Sequence, residues 1–296
     1  MRGHLWGLLY LNLVTVLWGT TFVIIKGAVD VLSPSLIILG RFLVASLCFL
    51  PFTRALLKED EQSRRVLLMA ALELGFWLWA GYATQAVGLQ YTSASRSAFI
   101  TALNVILVPI ILGLFGRRIG LPVWLAAVLA VAGVGLLSYD GSPPNVGDLW
   151  TVGTALTYAA YVIRLEVYAK RLPALGLTTA QVYGTTLFAL GWVLWEQPRL
   201  EWGSFPWLAT LYLGVFATAI TTLLQTLGQG RVSAPEAAVI YVLEPVWASV
   251  FAFLLLGERL GVQGLIGAAL VVSATLIDSL QYYWRSRRPD ASARGH

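Results

Sequence analysis

Apolar residues dominate ten stretches of the chain, and short polar segments separate these stretches. Each stretch is close to the roughly 20 residues that a helix needs to cross a bilayer. Connections this short join antiparallel neighbours and leave no room for a soluble domain. The pattern predicts an all-α polytopic membrane protein with ten transmembrane helices. They are expected over residues 7–29, 34–53, 66–89, 94–115, 120–138, 148–169, 177–195, 206–228, 234–256 and 261–284.

The chain also repeats itself at a spacing of 140 residues. Residues 85–103 (QAVGLQYTSASRSAFITAL) align without gaps to residues 225–243 (QTLGQGRVSAPEAAVIYVL), and seven of the nineteen positions agree. We predict two five-helix repeats, residues 1–140 and residues 141–296. Because five is odd, the second repeat inserts upside down relative to the first. Many secondary transporters have this arrangement, with the binding site between the halves.

Lysine and arginine indicate how the helices are oriented. Fourteen of the 20 such residues lie in the alternate segments that include both termini, and four lie in the other set of segments. Cytoplasmic loops carry the excess of positive charge in membrane proteins. We therefore expect both termini in the cytoplasm, with a short basic tail after the last helix. The first apolar run is too long, and too interrupted by Thr20 and Thr21, for a cleavable signal peptide.

Composition narrows the class of protein. The chain is 58% hydrophobic and 12% charged, whereas soluble domains are about a quarter charged. Its single cysteine, Cys48, excludes an internal disulfide and a cysteine-ligated metal site, and its two histidines, His4 and His296, are near the termini. It carries no nucleotide-binding loop and no metalloprotease motif. We expect a protein that is not an enzyme, with no metal, no cofactor and no nucleic-acid partner.

Several predicted helices carry polar and aromatic residues at helical spacing, so that these side chains share one face. Ser97, Thr101 and Asn104 do so on the fourth helix. One such face can simply hold helices together, but its recurrence on five helices from both halves favours a common substrate cavity. The candidate lining residues are Trp18, Tyr82, Gln85, Thr101, Asn104, Tyr158, Tyr161, Gln225, Tyr241 and Glu244.

Glu244 differs from the other candidates because a carboxylate near the bilayer midplane is costly. Pro245 follows it and lacks a backbone donor, which predicts a kink in the ninth helix. Three roles stay open for Glu244. It makes an internal structural hydrogen bond, it binds a substrate amino group, or it carries a coupled proton.

Glu73, Arg164 and Arg41 are further charged residues inside apolar stretches. Glu73 of the third helix and Arg164 of the sixth are expected at similar depth, and we predict that they form a structural charge pair. Arg41 lies in the outer third of the second helix and has two interpretations. Its guanidinium snorkels to the membrane surface, or it attracts a substrate carboxylate.

Four motifs of the chain resemble those of the drug/metabolite transporter superfamily, EamA type. They are Trp18-Gly19-Thr20, residues 86–98 (AVGLQYTSASRSA), Leu243-Glu244-Pro245 and Leu256-Gly257-Glu258. The resemblance covers both halves and implies ten helices in two inverted repeats, a central cavity and a location in the bacterial inner membrane. The first half departs from the pattern, because Asn104-Val105 occupies the place of Glu244-Pro245.

Within that superfamily the chain is similar to the amino-acid exporters. This resemblance and the aromatic, weakly polar candidate cavity predict a secondary transporter that exports small organic metabolites, above all neutral or aromatic amino acids, by alternating access. Its partners would be the small-molecule substrate and the lipid bilayer, and Glu244 leaves proton coupling open. The alternatives are a multidrug efflux carrier and a membrane binding or structural protein that transports nothing.

Overall fold

The computed structural model describes residues 2–29, 31–53, 61–138, 143–199, 205–256 and 261–287. These residues are helical along all ten predicted stretches and contain no strand, which confirms the all-α polytopic fold. The boundary expected between residues 140 and 141, and the basic tail from residue 288 onward, lie outside this part of the chain. The helices are α1 (Arg2–Trp18), α2 (Thr21–Val29), α3 (Pro34–Phe49), α4 (Glu61–Tyr91), α5 (Ala94–Ala102), α6 (Asn104–Leu114), α7 (Leu121–Ser138), α8 (Val146–Ala169), α9 (Ala174–Glu196), α10 (Trp207–Gly214), α11 (Thr221–Gln229), α12 (Ala234–Tyr241), α13 (Glu244–Leu256) and α14 (Val262–Arg287).

Several helices have the length and the apolar side chains that a membrane-spanning helix needs. Among the described residues, five segments are long and apolar enough to cross a bilayer by length and composition: Pro34–Phe52, Glu61–Tyr91, Arg96–Leu114, Trp207–Gln229 and Ala234–Phe251. The helices α8 and α9 are less apolar because they place polar residues such as Thr154 and Gln181 in the protein interior. Other helices, rather than lipid, surround those polar side chains.

The packing of the helices reflects the repeat. In one set of contacts α4, in the third span, packs against α8, in the sixth. Their counterparts in the other half, α11 in the eighth span and α1 in the first, also pack together. In another, α4 packs against α9, and α10 with the π-helical segment Val215–Ile220 packs against α3. The pairs α3 with α9 and α7 with α14 each join equivalent spans of the two halves. Exchanging these spans for their counterparts in the other half therefore reproduces the same contacts.

Glycine pairs allow the closest helix approaches at the two ends of the bundle. A Cβ atom on Gly147 of α8 would lie 2.7 Å from the carbonyl oxygen of Gly88 on α4. A Cβ atom on Gly7 of α1 would lie 3.2 Å from the carbonyl oxygen of Gly228 on α11. Small residues let helix backbones meet in this way inside membranes. Gly7 and Gly147, like Gly88 and Gly228, are 140 residues apart, so the repeat extends to these contacts.

Three of the predicted spans are interrupted, among them the ninth, for which Pro245 predicted a kink. The first breaks at Gly19-Thr20, the fourth at Leu103 and the ninth at Val242-Leu243. At the last two sites the N–H of Leu103 or Leu243 donates to the carbonyl three residues earlier, at 3.1 and 3.0 Å. Pro245 accounts for the break in the ninth span, since its missing N–H cannot continue the helical hydrogen bonds. The fourth span makes the same turn at the equivalent position without a proline next to it.

Candidate functional site

A cavity lies between the two halves, where the interrupted spans meet. The cavity volume is about 40 Å³, counted as the space open to the centres of water molecules. All ten residues proposed from the sequence as cavity lining contribute to its wall, and substrate binding at them stays a prediction. The lining residues are Trp18, Thr21, Arg41, Leu78, Tyr82, Gln85, Ala98, Thr101, Ala102, Asn104, Tyr158, Tyr161, Val162, Gln225, Tyr241, Glu244 and Pro245.

Aromatic rings form much of the cavity wall. Trp18 and Tyr241 pack with their ring centroids 5.4 Å apart. Tyr82 and Tyr158 meet edge to face with centroids 5.7 Å apart. Gly81 makes room for Tyr158, because a Cβ atom there would lie 2.2 Å from the tyrosine ring. These rings give the cavity rigid apolar surfaces against which an apolar group of a solute can pack.

Some polar groups on the wall are already satisfied by the protein. The hydroxyl of Tyr161 donates to Gln181 Oε1 at 2.9 Å and lies 3.4 Å from Gln225 Oε1. The hydroxyl of Tyr241 donates to Gln229 Oε1 at 3.3 Å, and Gln229 Nε2 donates to the Val162 carbonyl at 2.9 Å. These side chains tie α8, α9, α11 and α12 together on the second-half side of the cavity.

Other polar atoms on the wall are buried and have no hydrogen-bond partner among the described residues. They are Trp18 Nε1, Arg41 Nη1, Thr101 Oγ1 and Asn104 Oδ1. A buried polar atom without a partner costs about 1–3 kcal/mol, so the wall of this cavity has four hydrogen-bonding atoms that the described residues leave unsatisfied. Donors and acceptors are both present, because the tryptophan and arginine atoms carry N–H groups and Asn104 Oδ1 accepts.

Arg41 lines the cavity but was not among the ten residues proposed from the sequence as its lining. The interpretation that it snorkels is wrong, because the residue is only 1% exposed and its guanidinium points into the bundle. Two hydrogen bonds hold it there, from Nε to Thr218 Oγ1 at 2.8 Å and from Nη2 to the Ala217 carbonyl at 3.0 Å. Both acceptors belong to the π-helical segment Val215–Ile220, which the sequence pattern gave no reason to expect.

Glu244 is half-buried at the start of α13 and faces the same cavity as Arg41. It makes no hydrogen bond or ion pair with the side chains or backbone that the structure describes. The first of its three possible roles, an internal structural hydrogen bond, therefore finds no partner group among the described residues. The start of a helix favours a negative charge through the helix dipole, which partly offsets the cost of the carboxylate at this depth.

Glu73 and Arg164 form an ion pair away from the cavity wall. The guanidinium of Arg164 bonds to both carboxylate oxygens of Glu73, with Nη2 to Oε2 at 2.9 Å, and the Tyr168 hydroxyl adds a bond of 2.6 Å to Oε2. The three groups join α4 to α8. Their mutual satisfaction contrasts with Arg41 and Glu244, which remain available to a ligand.

Comparison with known proteins gives a consistent result. The profile of the EamA-like transporter family matches the chain twice, over residues 5–139 and 145–279. An uncharacterized transporter of Archaeoglobus fulgidus is 31% identical over 92% of this chain and 85% of its own length. A solved crystal structure superposes with a TM-score of 0.76, covering 95% of this chain and 99% of its own at 16% identity, and therefore shows a shared fold.

Two further relatives carry different descriptions. A protein of Pseudomonas aeruginosa named a probable biotin transporter is 28% identical and covers 92% of this chain and 97% of its own length. The uncharacterized transporter YwfM of Bacillus subtilis is 28% identical, with 94% and 95% coverage. The relatives thus agree on transport through a membrane and name one solute among them.

Proposed function

Because the chain belongs to the EamA-like transporter family, we propose that it exports small organic metabolites, above all neutral or aromatic amino acids, by alternating access. The observation that carries this proposal is the cavity between the two halves that is lined by Arg41, Glu244 and several aromatic rings. A neutral amino acid has a carboxylate, an ammonium group and an apolar side chain. The cavity offers Arg41, Glu244 and the aromatic rings to match them.

Alternating access is proposed from the pseudo-symmetry of the bundle. Corresponding contacts tie α1 to α11 near one membrane face and α4 to α8 near the other. Opening one set of contacts while the other stays closed would expose the cavity to each side in turn. In this scheme the two repeats, residues 1–140 and 141–296, move as units.

The membrane and orientation are proposed from the charges of the loops. Arg117, Arg118, Lys170, Arg171 and Arg231 all lie at the end of the bundle where α1 begins. The positive-inside rule places that end, and with it both termini, in the cytoplasm of a bacterial inner membrane. Fusion of a reporter that fluoresces only in the cytoplasm to the C-terminus tests this, and an inactive reporter would contradict it.

A second candidate solute is a monocarboxylate such as biotin. The relative of Pseudomonas aeruginosa named a probable biotin transporter supports it. Biotin has one carboxylate and a neutral ring with both donors and acceptors, but no ammonium group. It would use Arg41 and the unpartnered atoms of Thr101 and Asn104 without needing Glu244. Substitution Glu244→Gln therefore separates the candidates, because it should impair transport of amino acids and spare transport of biotin.

The decisive experiment is counterflow into proteoliposomes with a labelled panel of amino acids, biotin and a cationic dye. We expect saturable counterflow of neutral or aromatic amino acids. Substitution Asn104→Leu should raise the half-saturating concentration about tenfold, the loss of one buried hydrogen bond to a charged group. Substitution Asn12→Leu is the matched control, since the side chain of Asn12 donates to the Leu8 carbonyl of its own helix and does not line the cavity. Counterflow of the dye alone would favour multidrug efflux, and no counterflow would overturn the proposal.

A further inference from the structure

Arg41 is held in an unusual position for a buried cation. It lies on α3 and is 1% exposed, yet it makes no ion pair with any described residue. Its hydrogen bonds run to a hydroxyl and a carbonyl oxygen, Thr218 Oγ1 and the oxygen of Ala217. A buried charge without a counter-charge is among the most expensive features that a protein interior can contain. The described residues thus orient this guanidinium but provide no anion that pairs with it.

The π-helical segment Val215–Ile220 is what orients it. In a π-helix each N–H reaches back five residues, and the widened turn leaves carbonyl oxygens open to outside donors. Thr218 illustrates this, because its hydroxyl donates to the Leu213 carbonyl at 2.7 Å while accepting from Arg41 Nε. The guanidinium is thereby bound along the edge formed by Nε and Nη2.

The remaining contacts of the guanidinium leave one nitrogen free. Its central carbon lies 4.2 Å from the centre of the Tyr82 ring, a distance at which the aromatic face attracts a cation. Arg41 Nη1 is buried beside the cavity and has no partner in the part of the chain that the structure describes. One edge is bound to the protein and one face is covered by a ring. The donors of Nη1 are left for a molecule in the cavity.

We propose that Arg41 is the anchor for a substrate carboxylate and thereby restricts transport to solutes that carry one. This inference rests on the transport function proposed above and assigns a role to a residue within it. The carboxylate of the solute would supply the missing counter-charge and accept from Nη1, as guanidinium groups do in carboxylate recognition. Glu244 and Asn104 Oδ1, on the same cavity, would then accept from an ammonium group.

Matched pairs of solutes test this proposal on the wild-type protein, without any substitution. Each amino acid that shows counterflow is compared with its carboxamide, which keeps the ammonium group and side chain but loses the negative charge. For L-phenylalanine the partner is L-phenylalanine amide. The acid should have a half-saturating concentration at least about thirtyfold lower, the size expected for a buried charge pair. Equal values for the two solutes would overturn the proposal.

Substitution of the arginine tests it from the other side. The measured quantity is the ratio of the half-saturating concentration of the amide to that of the acid. Arg41→Met should bring this ratio close to one, whereas Arg41→Lys should retain part of the difference because the charge remains. Arg164→Met is the control, since Arg164 is the other arginine within a span and pairs with Glu73 outside the cavity wall. It should leave the ratio unchanged. A ratio that persists in Arg41→Met, or that collapses equally in Arg164→Met, would contradict the assignment.

The outcomes separate this inference from the function on which it rests. Counterflow that does not distinguish acid from amide removes the role of Arg41 and leaves a transporter. Absence of counterflow for every carboxylate in the panel removes the proposed function and the anchor with it. If Arg41→Met does not fold, as judged by its elution from a sizing column in detergent, the wild-type solute pairs and Arg41→Lys decide.

Discussion

The two ends of the bundle are closed at equivalent positions of the repeat but with different side chains. We call the end where α1 begins the N-terminal face and the opposite end the far face. At the far face Gly88 meets Gly147, and beside them Arg96 of α5 pairs with Asp148 of α8 at 2.8 Å. At the N-terminal face Gly7 meets Gly228, and Glu236 of α12 lies 3.3 Å from His4 of α1. Arg96 and Glu236 are 140 residues apart, so a cation at one face corresponds to an anion at the other.

The chemistry of the two closures is unequal. The side chains of Arg96 and Asp148 are 16% and 12% exposed, and Asp148 also accepts from Thr92 and from the N–H of Asn145. His4 carries a charge only when protonated. The N-terminal face depends instead on Glu166, which joins Arg117, Lys170 and the N–H of Ala234. The ion pair at the far face is nearly buried, whereas the cations that pair with Glu166 are 44% and 48% exposed, and we expect the N-terminal face to open more readily.

The largest expected effect is that of Asp148→Asn. It removes the negative charge of Asp148, whose side chain is 12% exposed and pairs with Arg96 at 2.8 Å, and we expect the free energy of unfolding in mixed micelles to fall by about 3 kcal/mol. Glu61→Gln is the control, because Glu61 and Arg65 form an exposed pair and its loss should cost less than about 1 kcal/mol. Equal losses of stability in the two variants would show that the ion pair at the far face contributes no more to the free energy of unfolding than the exposed pair of Glu61 and Arg65 does.

A smaller difference is expected between two glycine substitutions. A Cβ atom on Gly147 would lie 2.7 Å from the Gly88 carbonyl oxygen and 2.9 Å from the Thr92 nitrogen, and backbone cannot move aside easily. A Cβ atom on Gly228 would lie 2.5 Å from Leu11 Cδ2, at the end of a side chain, and 3.2 Å from the Gly7 carbonyl oxygen. Gly147→Ala should therefore destabilise by about 2 kcal/mol and Gly228→Ala by less than about 1 kcal/mol. Thermal unfolding in detergent measures both, and the reverse order would contradict the comparison.

Glu166→Gln should weaken the N-terminal face only moderately. The side chain of Glu166 is 7% exposed, but those of Arg117 and Lys170 are 44% and 48% exposed and can return to water. Glutamine can still accept from the N–H of Ala234. We expect a loss of about 1 kcal/mol in the same micelle assay, well below that of Asp148→Asn. A loss as large as that of Asp148→Asn would mean that the two faces are equally strong.

His4→Ala is expected to have the smallest effect. The contact to Glu236 is lost, but that carboxylate keeps its bonds from the N–H and hydroxyl of Ser233, at 3.0 and 2.7 Å. The free energy of unfolding should change by less than about 1 kcal/mol. A double-mutant cycle with Glu236→Gln measures the coupling directly. A coupling above that of Arg96 with Asp148 would reverse the proposed ranking of the faces.

The architecture was accessible from the sequence because it depends on periodicity. Ten apolar stretches predicted the helices, and the repeat at 140 residues predicted the equivalence that the helix contacts and glycine pairs display. The resemblance to the EamA type is confirmed by the family match over both halves. The cavity residues could be selected because polar side chains at helical spacing on several spans of one bundle must face the interior together.

The details that the sequence did not predict depend on backbone irregularities and on distant partners. Nothing in residues 100–104 signals a turn at Leu103, since no proline or glycine stands there. Arg41 could be placed only once the π-helical segment Val215–Ile220 was known, because its acceptors lie 176 and 177 residues away. An arginine inside an apolar span, without an acid at the same depth, was the available signal, and snorkelling explained it equally well.

The π-helical segment has a further consequence for the span that contains it. An α-helix turns by about 100° per residue, so a stretch with wider turns changes the direction in which every later side chain points. Because of Val215–Ile220, side chains of this one span point toward two different targets. Its Ala217 and Thr218 face Arg41, while Gln225, less than two turns beyond the segment, faces the cavity. The π-helical segment thus determines how the side chains at the two ends of the span are rotated relative to each other.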